Sequence, residues 1–339
     1  MANTTSGKPA TIYDVARAAG VSHQTVSRVL KGSDAVRPET RDKVQEALRV
    51  LRYRPNRGAR ELSLPSPPRI GIVGYETFQS STSRVLAGID AVARQKGYRL
   101  DIVNVDPLDS PSHIATLLET LNASDVVGVL ATSPTENVRL GLKAVKFDMP
   151  VYVDVNGGEL EDLEGERRTS RVARKAMEFL VHMGHRRIAF VGGPLSWDAA
   201  SSRERVYLDT MAELGEPANI LGRGDWSAKS GYEAAKALFD PSEATAVFVA
   251  NDRMCLGVMR ALHEAKIGIP DQISVIGIDD IPEAAYFCPP LTTVRVNFEQ
   301  SGAAAMRSLI SIINDSKVQA SGGISYELIV RQSVTPVQS

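Results

Sequence analysis

The sequence predicts an α/β protein, with a small all-α head at the N-terminus and two doubly wound parallel-sheet lobes behind it. Three observations carry this prediction. The first 62 residues hold short helical stripes and no strand-like run. From residue 69 onward, short apolar runs alternate with helix-period segments, the pattern of parallel sheets covered on both faces. That alternation lasts about 270 residues, more than one ordinary open sheet takes up.

The composition excludes several classes. Hydrophobic residues at 43% and charged residues at 23% rule out a disordered chain, a collagen or a coiled-coil rod. No run approaches the length of apolar residues that a membrane span needs. The opening MANTTSGKPATIYDVA lacks the apolar core of a secretory signal, so a cytoplasmic protein is expected. Cys255 and Cys288 are too few for a disulfide scaffold and lack zinc-ligand spacing. Both are expected to be buried small hydrophobes, and no metal or cofactor is expected.

The formal charge of −1 hides an asymmetry. Residues 1–62 carry twelve basic and six acidic side chains, and the rest carry 27 and 34. A basic head on an acidic body suits a polyanion partner for the head. Charge alone fits a solvated face equally well, so the motifs must decide.

In the head, Ile12, Val15, Ala16 and Ala19 form one helical stripe. Thr11 and Asp14 give it an acidic capping box, and Gly20 ends it with Val21 packing back beneath. Ser22 caps a second helix that turns Val26, Val29 and Leu30 inward and leaves His23, Gln24, Ser27 and Arg28 outside. Pro38 opens a third helix with Val44, Ala47, Leu48 and Leu51 on its buried stripe. Two short helices joined by Ala-Gly-Val-Ser have helix-turn-helix spacing, and the second fits a major groove. Gln24 can pair with adenine and Arg28 with guanine, while Ser22, Ser27 and Tyr53 suit phosphate oxygens. A three-helix interaction module with a polar face is the rival reading of the same residues.

The unbroken segment from Thr11 to Leu62, TIYDVARAAGVSHQTVSRVLKGSDAVRPETRDKVQEALRVLRYRPNRGAREL, resembles the DNA-binding domain of the lactose repressor family of bacterial transcriptional regulators. The resemblance implies base reading by His23, Gln24 and Arg28, within a DNA-contacting set of Ser22, His23, Gln24, Thr25, Ser27, Arg28 and Tyr53. His23 stands where the family's namesake has Tyr, which changes the base pairs accepted.

Residues 55–62, Pro-Asn-Arg-Gly-Ala-Arg-Glu-Leu, are too short for a stable free helix, and Gly58 weakens one by about 1 kcal/mol relative to Ala. They are expected to coil only on DNA. The resemblance implies a hinge helix contacting DNA through Asn56, Ala59 and Leu62, with Leu62 wedged into the minor groove. Gly58 departs from the bulkier residue common there. Residues 64–68, Leu-Pro-Ser-Pro-Pro, read as a stiff tether. The expected division is 1–54 for the DNA-binding head, 55–68 for the hinge and linker, and 69–339 for the body.

In the body, strands are expected at 70–74, 100–105, 126–131, 151–155, 188–192, 246–250 and 273–278. Helices are expected at 82–96, 111–121, 137–146, 172–183, 199–214, 228–239, 252–265 and 299–313. Ligands of such folds bind beyond the carboxyl ends of strands, which points at Tyr75, Asp154, Asn251-Asp252 and Asp279-Asp280. Asp279 and Asp280 point opposite ways on a strand, so they make a poor acid/base pair. No nucleophile elbow, Walker loop or His-Glu-x-x-His motif occurs, the histidines 113, 182, 185 and 263 are scattered, and Gly192-Gly193 is too weak for a dinucleotide site. No catalytic residue is assigned. A sugar fits better, held by Asp, Asn and Arg with Trp226 stacked on the ring; a core aromatic is the rival reading of Trp226.

The body resembles the same family through Gly-His-Arg-Arg-Ile at 184–188, Gly-Pro-Leu-Ser at 193–196, Gly-Asp-Trp-Ser-Ala at 224–228, Ala-Asn-Asp at 250–252, Gly-Ile-Asp-Asp at 277–280 and Pro-Leu-Thr-Thr-Val at 290–294. The resemblance implies lobes of periplasmic-binding-protein type. It also implies an effector site of Tyr75, Asp154, Arg203, Trp226, Asn251, Asp279 and Phe298. The Trp226 motif is not general to the family and resembles its namesake, so a galactoside is the leading effector. Tyr75, Arg253 and Val296 depart from the namesake, which has a small hydroxyl residue and two amides there. Residues 159–174 are highly charged where the family has a strand ending in Asp, with Arg171 at about that Asp.

The expected mechanism follows. A homodimer binds a double-stranded operator, and a small sugar closes the cleft and loosens the hinge pair. Residues 334–339 carry no leucine heptads, so a dimer is expected rather than a tail-joined tetramer. The same architecture also serves purine corepressors or protein partners. A sugar-transport receptor shares the body and lacks the head.

Overall fold

A computed structural model describes residues 11–30, 36–51, 67–74, 80–106, 108–132, 135–154, 168–238, 243–316 and 325–337. The chain divides into two compact units, Met1–Ser66 and Pro67–Ser339.

The first unit holds α1 (Ile12–Ala19), α2 (His23–Leu30) and α3 (Pro38–Val50). The capping box of α1 is present. Asp14 N–H donates to Thr11 Oγ1 at 3.3 Å, and Thr11 N–H donates to Asp14 Oδ2 at 2.9 Å. Gly20 adopts φ +66°, which lets Val21 N–H return to the Ala16 carbonyl at 3.0 Å and closes the helix end. Val15, Val26 and Val44 are fully buried at the centre, and small Ala16, Ala19 and Ala47 complete that core. Each buried valine contributes roughly 1.5 kcal/mol.

The second unit contains two sheets. In lobe 1, β1 (Arg69–Gly74), β2 (Arg99–Asn104), β3 (Val126–Thr132) and β4 (Val151–Asp154) run parallel in the order β2-β1-β3-β4. α4 (Ser80–Gln95), α5 (Pro111–Asn122) and α6 (Glu136–Ala144) accompany them. In lobe 2, β5 (Ile188–Gly192), β6 (Asn219–Arg223), β7 (Ala246–Val249), β8 (Ser274–Asp279), β9 (Thr292–Val296) and β10 (Tyr326–Ile329) stand in the order β10-β9-β8-β7-β5-β6. Its helices are α7 (Arg168–His182), α8 (Asp198–Leu214), α9 (Ala228–Leu238) and α10 (Asp252–Glu264). The strand buried on both faces needs an unbroken apolar run; Ile188–Gly192 is buried at all five positions.

α11 (Phe298–Ile313) follows β9 but packs on the lobe-1 sheet, where Ala305, Met306, Leu309 and Ile310 share a core with Ile70, Ile72 and Ile89. β10 then pairs with β9 back in lobe 2, so the chain passes between the lobes three times.

Four features differ from the sequence reading. β6, β9 and β10 are additional strands. β10 pairs antiparallel with β9, so the second sheet is not wholly parallel. The helix expected at 172–183 starts earlier, at Arg168, within the charged stretch where the family has a strand. Arg171 lies in the first turns of α7, whose stripe Val172, Ala173, Ala176, Met177 and Leu180 has helical period. Finally, Cys255 is buried but Cys288 is exposed, because it sits in the loop after the 3-10 turn Pro282–Tyr286. Among the described residues, no helix is long and apolar enough to cross a membrane.

Candidate DNA-reading surface and effector pocket

On the head, α2 exposes His23, Gln24 and Arg28, half-buries Thr25 and Ser27, and buries Val26. Ser22 Oγ accepts from the Thr25 amide at 3.2 Å and lies 2.9 Å from Thr25 Oγ1, so these hydroxyls fix the start of α2. The His23 ring lies 5.3 Å from that of Tyr13, which is 61% exposed on α1. Sequence reasoning missed Tyr13; an exposed aromatic beside a reading position was its signal. Tyr53, Asn56, Ala59, Leu62 and Gly58 lie outside the described residues, as does Tyr75.

In the body, strand ends gather the expected effector residues. Asp154 ends β4, Asp279 ends β8, Asn251 follows β7 and Trp226 follows β6. Arg203 reaches in from α8. All five are buried, and Phe298 at the start of α11 is half-buried. Arg203 Nη1 donates to the Ala250 carbonyl, and its Nη2 lies 3.7 Å from Asp279 Oδ1. Its guanidinium stands 5.5 Å from the Trp226 ring centroid. Arg203 Nε and Asp279 Oδ1 are buried and have no hydrogen-bond partner among the described residues.

Two of the expected sugar contacts take a different part here. Asn251 is occupied with the protein: Oδ1 accepts from the Met254 amide at 2.9 Å, and Nδ2 donates to the Trp226 carbonyl at 3.2 Å. It caps α10 and anchors the Trp226 backbone. Trp226 itself joins the lobe-2 core and lies directly on Gly193, where a Cβ would come within 2.4 Å of the ring. Only glycine admits the indole at that depth. Trp226 is therefore a buried wall that carries Arg203.

Backbone strain concentrates here. Trp226 at φ +71°, Asp279 at φ +117° and Asp280 at φ +51° are left-handed without being glycine. Such conformations cost about 1–3 kcal/mol each and cluster at ligand sites. Asp280 turns away from Asp279 and is held by Arg295 at 2.8 Å and Arg331 at 2.7 Å.

Other residues tie the lobes together across this region, and no sequence motif flagged them. Arg84 of α4 donates to the Asp279 carbonyl at 3.4 Å, pairs with Glu299 at 3.0 Å and stands over the Phe298 ring. Arg139 of α6 pairs with Asp198 of α8 at 2.9 Å, and Trp197 packs against the cores of both lobes. Within lobe 2, His185 of the 184–188 motif is held between Thr245 Oγ1 at 2.9 Å and the Thr335 carbonyl at 3.1 Å, which ties it to the C-terminal segment. Of the departures noted above, Arg253 is exposed on α10 and Val296 is buried in the lobe-2 core. No group of three potential metal-ligating side chains occurs among the described residues.

Burial pushes the Asp279 carboxyl up to about 6, while Arg203 and Arg84 pull it down. The folded state therefore binds this proton more tightly than the unfolded chain. Its contribution to stability is full below about pH 4 and is lost as pH rises through about 6. A ligand that donates hydroxyls to the carboxylate follows the opposite course. Its affinity is expected to be full at pH 7.5 and roughly tenfold weaker at pH 5, read by titrating tryptophan fluorescence.

A helix-turn-helix head and a two-lobed body with buried charged side chains gathered at the strand ends define a DNA-binding regulator that answers to a small molecule. Comparison with known proteins agrees. Residues 11–56 match "Bacterial regulatory proteins, lacI family", and residues 177–334 match a periplasmic binding protein-like domain. The chain is 31% identical to the lactose operon repressor of Escherichia coli (strain K12), over 96% of this chain and 91% of that one. It is 32% identical to the HTH-type transcriptional repressor PurR of Histophilus somni (strain 2336), over 96% and 99%. A crystal structure of the lac repressor dimer bound to operator and the anti-inducer ONPF superposes with a TM-score of 0.74 at 29% identity, covering 97% of this chain and 100% of that one. The chain belongs to the lacI family and is a DNA-binding transcriptional repressor.

Proposed function

We propose that this repressor is controlled by a neutral sugar, a galactoside in the first place, which binds at Arg203 and Asp279 and releases the operator. One observation carries the reading. Arg203 Nε, beside the Trp226 ring, and Asp279 Oδ1, at the end of β8, are a buried donor and a buried acceptor without hydrogen-bond partners among the described residues. A sugar hydroxyl can both accept from such a donor and donate to such an acceptor, and a net-neutral Arg–Asp pair suits an uncharged ligand better than a phosphate. Asp154, Phe298 and Tyr75 complete the pocket in this reading. The similarity to the lactose operon repressor of Escherichia coli supports a galactoside.

The chain acts in the cytoplasm as a homodimer, one head per half-site of a pseudo-palindrome. The head is 1–54, and 55–68 is a hinge in which Asn56, Ala59 and Leu62 meet the minor groove. The body, 69–339, binds its effector and catalyses no reaction. A thermal-shift panel of methyl β-D-galactoside, glucosides, pentoses and purines tests this. The galactoside is expected to raise the melting temperature; a rise with purines alone would end the sugar reading.

A further inference from the structure

We propose that Asp252 is a positioning residue of the effector pocket, holding the strained Asp279–Asp280 turn so that the Asp279 carboxylate faces Arg203 and the ligand. The proposal rests on the pocket reading above. Asp252 is the first residue of α10 and is completely buried, so it touches no ligand itself.

Its two oxygens grip both sides of the turn. Oδ1 accepts from Thr293 Oγ1 at 2.6 Å, and Thr293 is also fully buried. Oδ2 accepts from the Ile281 amide at 3.0 Å, the first amide beyond the two left-handed residues. Thr293 pairs with Gly277 in the β8–β9 ladder, two residues before Asp279. A Cβ on Gly277 would fall 2.3 Å from Asp252 Oδ1, so the carboxyl is pressed against the β8 backbone. One side chain thus fixes β8 ahead of the turn and Ile281 behind it. The Asp280 grip by Arg295 and Arg331 supplies the outer restraint. Strain of this kind persists only where the surroundings over-determine it. Burial and the neighbouring Asp279 push the Asp252 carboxyl well above the ordinary range, which agrees with a group buried to hold geometry.

The test uses the full chain and four variants, Asp252→Asn, Thr293→Val, Thr293→Ser and Asp279→Asn. Methyl β-D-galactoside is titrated by tryptophan fluorescence, and hydrogen exchange is followed in the segment containing Ile281. Asp252→Asn and Thr293→Val are expected to weaken galactoside binding by about tenfold, since each breaks a buried bond. Thr293→Ser is expected to restore it, because the hydroxyl returns. Added to Asp279→Asn, Asp252→Asn is expected to cause no further loss, the mark of a residue that acts through Asp279. Exchange at Ile281 is expected to rise at least several-fold in Asp252→Asn before any sugar is added. Wild-type binding by Asp252→Asn, or losses that multiply with Asp279→Asn, would overturn the proposal. If the unmodified chain ignores the galactoside, the galactoside reading fails. Exchange at Ile281 then decides alone, and unchanged exchange in Asp252→Asn overturns the proposal.

Discussion

Replacing Arg203 by alanine is expected to give a repressor that still binds its operator but no longer answers its effector. Arg203 is the only side chain that touches the Ala250 carbonyl, the Asp279 carboxylate and the Trp226 face together among the described residues. A hydrogen bond from a charged donor to a ligand is worth about 1.5–3 kcal/mol. Removing the cation also leaves Asp279 buried beside no counter-charge but Arg84, which faces its carbonyl. The two losses together predict effector affinity lowered by about 100-fold or more. Calorimetric titration with methyl β-D-galactoside reads this, and a band shift with and without sugar reads the response. The stability cost has a sign in pH. At pH 7.5 Asp279 is ionised and loses its partner, whereas at pH 5 it carries a proton, because its carboxyl titrates at about 6. The melting temperature of Arg203→Ala is therefore expected to fall further below wild type at pH 7.5 than at pH 5.

Replacing Arg28 by alanine is expected to have the largest effect on DNA. Arg28 is exposed in the last turn of α2, on the same face as His23 and Gln24, while Val26 behind them is buried in the head core. The substitution removes an exposed guanidinium fork and is expected to leave the fold intact. A bidentate contact of Arg to guanine is worth about 1–3 kcal/mol, so operator affinity should fall by roughly 5- to 150-fold. A band shift on operators carrying single base changes separates the two possible roles. A base reader loses discrimination at one position in each half-site, whereas a phosphate contact weakens all operators alike. Arg17→Ala serves as the control. That side chain lies on α1 beside Asp14 at 3.6 Å, and its loss should cost little.

Much of the fold was legible because burial on both faces writes itself as unbroken apolar runs. The seven expected strands correspond to β1–β5, β7 and β8, with ends shifted by about one residue. The three others escaped for physical reasons. β6 is interrupted by Gly222, β9 is a short threonine-rich strand broken by the exposed Arg295 beside a proline-rich approach, and β10 is an edge strand whose Tyr326 and Glu327 are exposed. The helix expected from Val172 is present, but it begins at Arg168, because the apolar stripe that marks it starts only after the charged first turn.

The pocket was half legible. The strand-end rule pointed at Asp154, Asn251 and Asp279, the fit to a sugar at Trp226, and the family resemblance added Arg203. Neither foretold that Asn251 serves the Trp226 backbone, or that Trp226 rests on Gly193. Arg84 with Asp279, and Asp252 with Thr293, are separated by 195 and 41 residues in sequence. Pairings of that range leave no trace in local periodicity. Only the tertiary fold brings them together, across the lobes for Arg84 and Asp279 and between neighbouring elements of lobe 2 for Asp252 and Thr293.

The central claim is that occupancy of the body sets the grip of the head. Fluorescence anisotropy of labelled operator, titrated with the full chain in the absence and presence of saturating effector from the thermal-shift panel, tests it most directly. A rise in operator Kd of about 5- to 150-fold on saturation is predicted. Superimposable titration curves in the two conditions would contradict it.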